Sequence, residues 1–250
     1  ANHLMQKNIC VPPREEHSKE TKYEGAYVKE PILGGHDWIV SFDINSLYPH
    51  IIIQYNISPE KIVGESSHGI NVNKMLDMKV PLNYLKTEGA CLTPNGAKFK
   101  NDSQGFLPEM MEKMYNERVV FKKRMIKAKQ QYERTKNPKL VKEIARCHNI
   151  QWSKKIALNS AYGAVGNQYF RYYDVRQASG ITTAGQFIIR FIENKMNEYL
   201  NKVLQTQGKK DYIVASDTDS IYVCLDKLVE KTCKGKTDDQ ITDFIGRVCD

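Results

Sequence analysis

Between Leu107 and Tyr162 the chain carries two long helical patterns separated by one break. From Leu107 to Lys136 the only helix-breaking residue is Pro108, which suits a first helical turn because its missing N–H would have no intrahelical partner there. Asn137-Pro138 then supplies a stop and a restart. A second helical pattern runs from about Lys139 to Tyr162, and Gly163 and Gly166 are read as ending it. Two such helices joined so tightly must double back on each other. The spacing therefore predicts an antiparallel helical hairpin, an arm projecting between its flanking segments.

Those flanks read as sheet and shorter helices. Residues 1 to 24 are polar and irregular, and Tyr27 to Lys29 reads as a short strand. Trp38 to Phe42 is a β-rich run ending at Asp43, and Pro49 sits where a helix would begin, continued by His50 to Tyr55. Residues 64 to 104 are mixed, and Pro94-Asn95-Gly96 predicts a hairpin turn between Cys91-Leu92 and Lys98-Phe99. Thr183 to Val203 fits a helix, with Phe187, Phe191, Ile192, Met196 and Leu200 at helical spacing. Apolar runs at Tyr212–Ala215 and Ile221–Leu225 then form a hairpin around Ser216-Asp217-Thr218-Asp219-Ser220, and a helix starts near Asp238-Asp239. The order gives an α+β fold with an inserted helical arm.

The chain has 250 residues, 41% of them hydrophobic, enough to bury a sizeable core. Its formal charge is +8 and its pI about 9.0, which points to polyanionic partners. The arm concentrates that charge: Lys113 to Lys136 holds nine Lys/Arg against two Glu, a net +7. The six cysteines show no C-x-x-C spacing and no Cys/His cluster at zinc-ligand spacing, so they read as reduced thiols. No secretory leader pattern or membrane-length apolar run is visible, so a cytoplasmic location is expected and the sequons at Asn56 and Asn101 carry no meaning. The absence of an initial methionine and an end inside an amphipathic pattern predict a fragment of a longer protein.

Within the arm, Arg118 and Lys122 are four residues apart on one helix face, as are Lys155 and Asn159 on the second helix. Arg118 and Lys155 each lie about 18 residues from the bend, roughly 27 Å at helical rise, so they come level. For any single lysine a solvated face is the plain alternative. Three cations with no carboxylate opposite except Glu117 suit a phosphate chain, gripped bidentately by Arg and as a point charge by Lys.

Asp217 and Asp219 repel each other, and both ionise readily only with a cation between them. Hard divalent ions such as Mg²⁺ prefer carboxylate oxygens and substrate phosphates. Acidic residues are also common in ordinary hairpin turns, so Asp217 and Asp219 alone do not define a site. Asp43 strengthens the case: if its strand pairs beside the hairpin, Asp43 and Asp219 meet at one sheet edge. Such a pair can hold two metal ions about 4 Å apart for in-line phosphoryl displacement. Carboxylates on the sheet and cations on the arm would then bracket a nucleoside triphosphate.

Three motifs in this order resemble the family B DNA polymerases, especially the T-even-like bacteriophage branch. They are Asp43-Ile44-Asn45-Ser46-Leu47-Tyr48-Pro49; Lys155, Asn159, Ser160, Tyr162 and Gly163; and Asp217-Thr218-Asp219-Ser220. Asn56-Ile57-Ser58-Pro59-Glu60, Pro94-Asn95-Gly96 and Phe170 to Asp174 add to the phage likeness, and together these stretches cover about residues 25 to 230. The resemblance implies a polymerase palm sheet (residues 1–104 and 166–250) with the helical hairpin of residues 105–165 as fingers. It implies template-directed addition of dNTP to a primer 3′-hydroxyl with two Mg²⁺, Mn²⁺ being a possible substitute. Asp43, Asp219 and the Ile44 carbonyl would be metal ligands, with Asp217 a supporting acid. Arg118, Lys122, Lys155, Asn159 and the backbone of Ser46 and Leu47 would bind the nucleotide. Tyr48 would be the steric gate under the sugar, and Tyr162 and Gly163 would lie along the DNA minor groove. Primer-template DNA would be a partner, as would a sliding clamp and other replisome proteins through regions outside this stretch.

Two positions depart from the family pattern. His50 stands where a small serine is usual, close to the expected metal site. Ser216 stands where glycine usually precedes the Asp-Thr-Asp-Ser motif. The competing readings are a non-catalytic nucleotide- or nucleic-acid-binding fragment and a two-metal nuclease or cyclase. A nuclease or cyclase leaves the cationic arm and Tyr48 unexplained, and Tyr48 likewise disfavours an RNA polymerase.

Overall fold

The computed structural model describes residues 2–6, 8–13, 22–81, 83–206 and 210–249. Its elements in chain order are α1 (Asn2–Gln6), β1 (Val28–Lys29), β2 (Ile39–Asp43), α2 (Leu47–Gln54), β3 (Ile62–Glu65), α3 (Val72–Leu76), α4 (Asn83–Glu88), β4 (Ala90–Leu92) and β5 (Ala97–Lys100). They continue with α5 (Phe106–Thr135), α6 (Lys139–Val165), α7 (Val175–Leu204), β6 (Ile213–Asp217), β7 (Ser220–Cys224), α8 (Asp226–Thr232) and α9 (Asp238–Cys249). The chain resolves into two compact units, Ala1–Gly25 with Ser46–Gly185, and Ala26–Asn45 with Gln186–Asp250.

The first unit carries the helical hairpin. Lys136 ends α5 in the left-handed conformation, and the Asn137 side chain accepts the Lys139 N–H at 3.0 Å, so Asn137-Pro138 does form the turn. Ion pairs fix the register of the two helices: Lys154 meets Glu117, and Arg124 meets Glu143 at 2.5 Å. The root of α5 is held by the Asn56–Glu60 segment. Asn56 Oδ1 accepts the Gly105 N–H at 2.8 Å, Glu60 Oε1 the Phe106 N–H at 2.7 Å, and Ser58 Oγ the Leu107 N–H at 3.3 Å. These are N–H groups that the first turn of a helix leaves without backbone partners, and the carboxylate also complements the helix dipole. A small antiparallel sheet of order β3-β5-β4 includes the hairpin expected at Pro94-Asn95-Gly96.

The second unit is built on an antiparallel sheet of order β1-β6-β7-β2. Strand β2 alternates exposed and half-buried positions, as a strand with one solvated face should. Its inward residues Val40 and Phe42 pack on a core containing Tyr212, Ile213, Ile221, Val223 and Leu225 from the hairpin, Ile189 and Leu200 from α7, and Ile241 and Ile245 from α9.

Three local expectations change. Asn2–Gln6 is helical where an irregular segment was predicted, and residues 14–21 of that segment lie outside the described residues. Gly163 does not end α6, which continues to Val165 and is capped by Gly166. Helix α7 begins at Val175 rather than Thr183: Gly180 weakens the helical pattern yet suits close packing, since a Cβ there would lie 3.2 Å from Thr93 Oγ1.

Candidate active site

Strand register brings the predicted carboxylates together in the second unit. Asp43 pairs with Ser220, and Ser220 pairs with Asp217. Directly opposed residues share a sheet face, so Asp43, Ser220 and Asp217 form a row across three strands, with Asp43 and Asp217 about 10 Å apart at Cα. Ser220 Oγ donates to Asp43 Oδ2 at 3.3 Å. Asp219 lies in the intervening turn, and its carbonyl accepts the Ile44 N–H at 2.8 Å, which ties the turn to the end of β2.

The turn is held in a demanding conformation. Thr218 has φ 56°, a left-handed value that a β-branched residue seldom adopts. Its N–H donates to the Tyr27 carbonyl at 3.0 Å, and its hydroxyl to Asp217 Oδ1 at 2.8 Å. Burial pushes the Asp219 carboxyl above its ordinary value, and the Asp43 and Asp217 charges push it further. Its own backbone N–H and the Ser220 hydroxyl oppose that rise without cancelling it. A crowd of hard oxygen donors of this kind fits a divalent cation such as Mg²⁺.

Below this edge, Ser216 donates its hydroxyl to Glu193 Oε1, and the two residues are only 1% and 7% exposed. Ser216 therefore has a definite partner where the family usually has glycine.

In the first unit Tyr48 packs edge-on against Tyr162 with ring centroids 4.7 Å apart. A Cβ added at Gly185 would lie 3.0 Å from Tyr48 Cε1, so the glycine permits the ring's position. Burial pushes the Tyr162 hydroxyl well above its ordinary pKa, helped by its hydrogen bond to Tyr23 and by the Tyr48 hydroxyl. Ser46 precedes α2 with φ 58°, and its carbonyl accepts both the N–H of His50 at 3.1 Å and its Nδ1–H at 2.9 Å. The His50 ring also meets Tyr115 edge-on at 4.5 Å. His50 thus braces Ser46 and Tyr115, while Leu47 is buried beneath the start of α2.

On the hairpin, the Lys154–Glu117 pair makes Arg118 and Lys155 level to within a helical turn, and it engages the one carboxylate expected opposite them. Lys122 lies one turn nearer the bend and Asn159 one turn farther from it, about 5–6 Å each way. Arg118 Nε is a buried nitrogen without a hydrogen-bond partner, one of two such side-chain atoms among the described residues. A buried guanidinium nitrogen of this kind calls for an acceptor. Lys155 Nζ rests 5.3 Å from the centre of the exposed Trp152 ring. Gly163 is exposed, and a Cβ there would meet nothing within 4 Å.

The chain thus carries both a carboxylate row at a sheet edge and a cationic helical hairpin. Residues 2–238 match the sequence profile described as DNA polymerase family B, and the chain belongs to that family. It is 34% identical to the DNA-directed DNA polymerase of Escherichia phage RB69 over 94% of this chain and 30% of that protein. The DNA-directed DNA polymerase of Enterobacteria phage T4 is also 34% identical, over 92% of this chain and 30% of its own length. A solved family B DNA polymerase from the hyperthermophilic archaeon Pyrobaculum calidifontis aligns with TM-score 0.56 and 26% identity, over 94% of this chain and 27% of that one. The chain thus spans about 30% of the length of the phage relatives it matches. Among the described residues no helix is long and apolar enough to cross a membrane.

Proposed function

We propose that this chain is the palm-and-fingers portion of a DNA polymerase, adding deoxynucleotides to a primer 3′-hydroxyl under the direction of a template. Residues 1–104 and 166–250 would form the palm and residues 105–165 the fingers. The observation that carries this reading is the meeting of Asp43, Asp217 and Asp219 at one sheet edge.

Each residue's role follows from its chemistry. Asp43 and Asp219, with the Ile44 carbonyl, would hold two Mg²⁺ (or Mn²⁺), which when bound lower the pKa of the primer hydroxyl and neutralise charge on the phosphates. Asp217 keeps the edge negative and orients the Thr218 hydroxyl. Arg118 would grip the triphosphate through its fork, Lys122 and Lys155 would add point charges, and Asn159 with the backbone of Ser46 and Leu47 would complete the contacts. Tyr48, wedged between Tyr162 and Gly185, would exclude a sugar 2′-hydroxyl. Tyr162 and Gly163 would follow the minor groove; the open surface at Gly163 supports close approach of a backbone.

Primer-template DNA and dNTP are the proposed partners, with a sliding clamp and other replisome proteins contacting regions that the relatives have outside this stretch. The proposed location is the cytoplasm of a host cell. Primer extension with purified chain tests the reading. Activity should require Mg²⁺ and vanish in Asp219→Ala, and dNTP binding should weaken in Arg118→Ala with Lys155→Ala. Tyr48→Ala should admit ribonucleotides. Metal-dependent dNTP binding without extension would favour the non-catalytic binding fragment. Unchanged triphosphate affinity in the double variant would remove the hairpin residues from the site.

A further inference from the structure

A second cluster of metal-binding side chains lies at the opposite end of the β2–β7 pair from the carboxylate row. His36, Cys224 and Asp226 each present one ligand atom, and these atoms lie within 4.8 Å of one another. The three residues are distant or split in sequence, so no ligand spacing announces them; the fold assembles them. Cys224 is the last residue of β7 and pairs with Ile39, the first residue of β2. His36 lies three residues before that strand, and Asp226 opens α8. The five-residue length of β2 separates this cluster from Asp43 by on the order of 13 Å.

The supporting contacts resemble those around metal ligands. Asp226 Oδ1 accepts the Trp38 N–H at 2.9 Å, and the carboxylate also accepts the Asp37 N–H and the Cys224 thiol proton, so an ion would take the place of that proton between sulfur and oxygen. His36 Nε2 donates to the Ile32 carbonyl at 3.0 Å, so the ring's lone pair is on Nδ1. A histidine whose second nitrogen donates to a carbonyl is the usual orientation device of a metal site. The Leu225 N–H also donates to the Trp38 carbonyl at 2.7 Å, so the backbones that carry the three ligands are joined to each other.

We propose that His36, Cys224 and Asp226 form a binding site for Zn²⁺ or a similar borderline-soft divalent cation, with water as fourth ligand. One nitrogen, one sulfur and one carboxylate oxygen suit zinc and not Mg²⁺, which takes oxygen donors. Ligand atoms 2.0–2.3 Å from a tetrahedral ion are roughly 3.5 Å apart, so distances that now lie within 4.8 Å need contract by no more than about 1.3 Å. Half-buried His36 and Asp226 can supply that movement and leave the fourth position to solvent, while buried Cys224 stays in place. On binding, the Cys224 thiol loses its proton to solvent and the thiolate coordinates the ion. The ion ties the far end of β2 to β7 and so stiffens the strand pair whose other end carries Asp43 and Ser220.

The test is Co²⁺ titration of the chelator-treated 250-residue chain, followed by absorption spectroscopy. The expected result is a thiolate-to-cobalt charge-transfer band in the near ultraviolet, which reports this cluster alone and is removed by Zn²⁺. His36→Ala lies outside the core and should weaken Co²⁺ at least about tenfold, as should Cys224→Ser, whereas Asp219→Asn and Cys249→Ser should leave it unchanged. Zn²⁺ at about a hundredfold above its Kd should raise the unfolding midpoint by about 5–10 °C in the wild-type chain and much less in His36→Ala. Absence of the charge-transfer band, its persistence in His36→Ala, or its loss in Asp219→Asn would each overturn the assignment. The site stands or falls independently of polymerase activity.

Discussion

Ser216→Ala removes the hydroxyl that donates to Glu193, two residues only 1% and 7% exposed. A hydrogen bond to a charged group contributes about 1.5–3 kcal/mol, and a buried carboxylate that loses a donor has no water to replace it. For a chain of this size each kcal/mol shifts the unfolding midpoint by about 2–4 °C, so the variant should melt about 3–12 °C lower. Thermal unfolding followed by circular dichroism measures this. A double-mutant cycle isolates the cause. In a Glu193→Gln background the acceptor is neutral, and Ser216→Ala should cost about 0.5–1.5 kcal/mol. Ser216→Gly, which restores the residue usual in the family, should cost about 0.5–1 kcal/mol more than Ser216→Ala through backbone entropy. A Ser216→Ala midpoint within about 1 °C of wild type, or an equal cost in both backgrounds, would refute the reasoning.

Two further outcomes are expected. Asp219 binds its proton more tightly in the folded chain than at the ordinary value of 3.8, so stability falls as pH rises through the folded value and the cost is fully present at pH 7. Asp219→Asn should therefore raise the metal-free unfolding midpoint at pH 7, and the gain should shrink as pH falls through the raised folded value and be gone below about 4; a variant that melts lower at pH 7 contradicts this. Gly185→Ala gains about 0.5–1 kcal/mol of helix propensity but places Cβ 3.0 Å from Tyr48 Cε1, and overpacking costs about 1–3 kcal/mol. The net should be destabilisation of about 0–2.5 kcal/mol with altered fluorescence or sugar discrimination at Tyr48, and a stabilised variant with unchanged discrimination would show that the ring is not confined there.

The helical hairpin was legible because both its signals are local: an uninterrupted helical pattern and an Asn-Pro break. The carboxylate row was legible in part, since an apolar strand ending at Asp43 and an acidic hairpin invite pairing, and the observed register Asp43 to Ser220 supplies it. What sequence reading missed depends on distant partners. Asn56, Ser58 and Glu60 hold the first N–H groups of α5 some 46 to 49 residues away, a role that no local pattern encodes. Gly163 was misread because glycine often follows a helix, yet here the helix dominates and the exposed position tolerates it. The early start of α7 was hidden by Gly180, whose packing against Thr93 offsets its poor helix propensity. His36, Cys224 and Asp226 were invisible as a group for the same reason: only the β2–β7 register makes them neighbours.

The central claim is that the edge formed by Asp43, Asp217 and Asp219 is a divalent-cation site, and Mn²⁺ titration followed by electron paramagnetic resonance tests it most directly. In chain whose Cys224 is replaced by Ser, to silence the second cluster, Mn²⁺ should bind, and Asp219→Asn and Asp43→Asn should each weaken it at least about tenfold. Equal Mn²⁺ affinity with and without these two carboxylates would contradict the account.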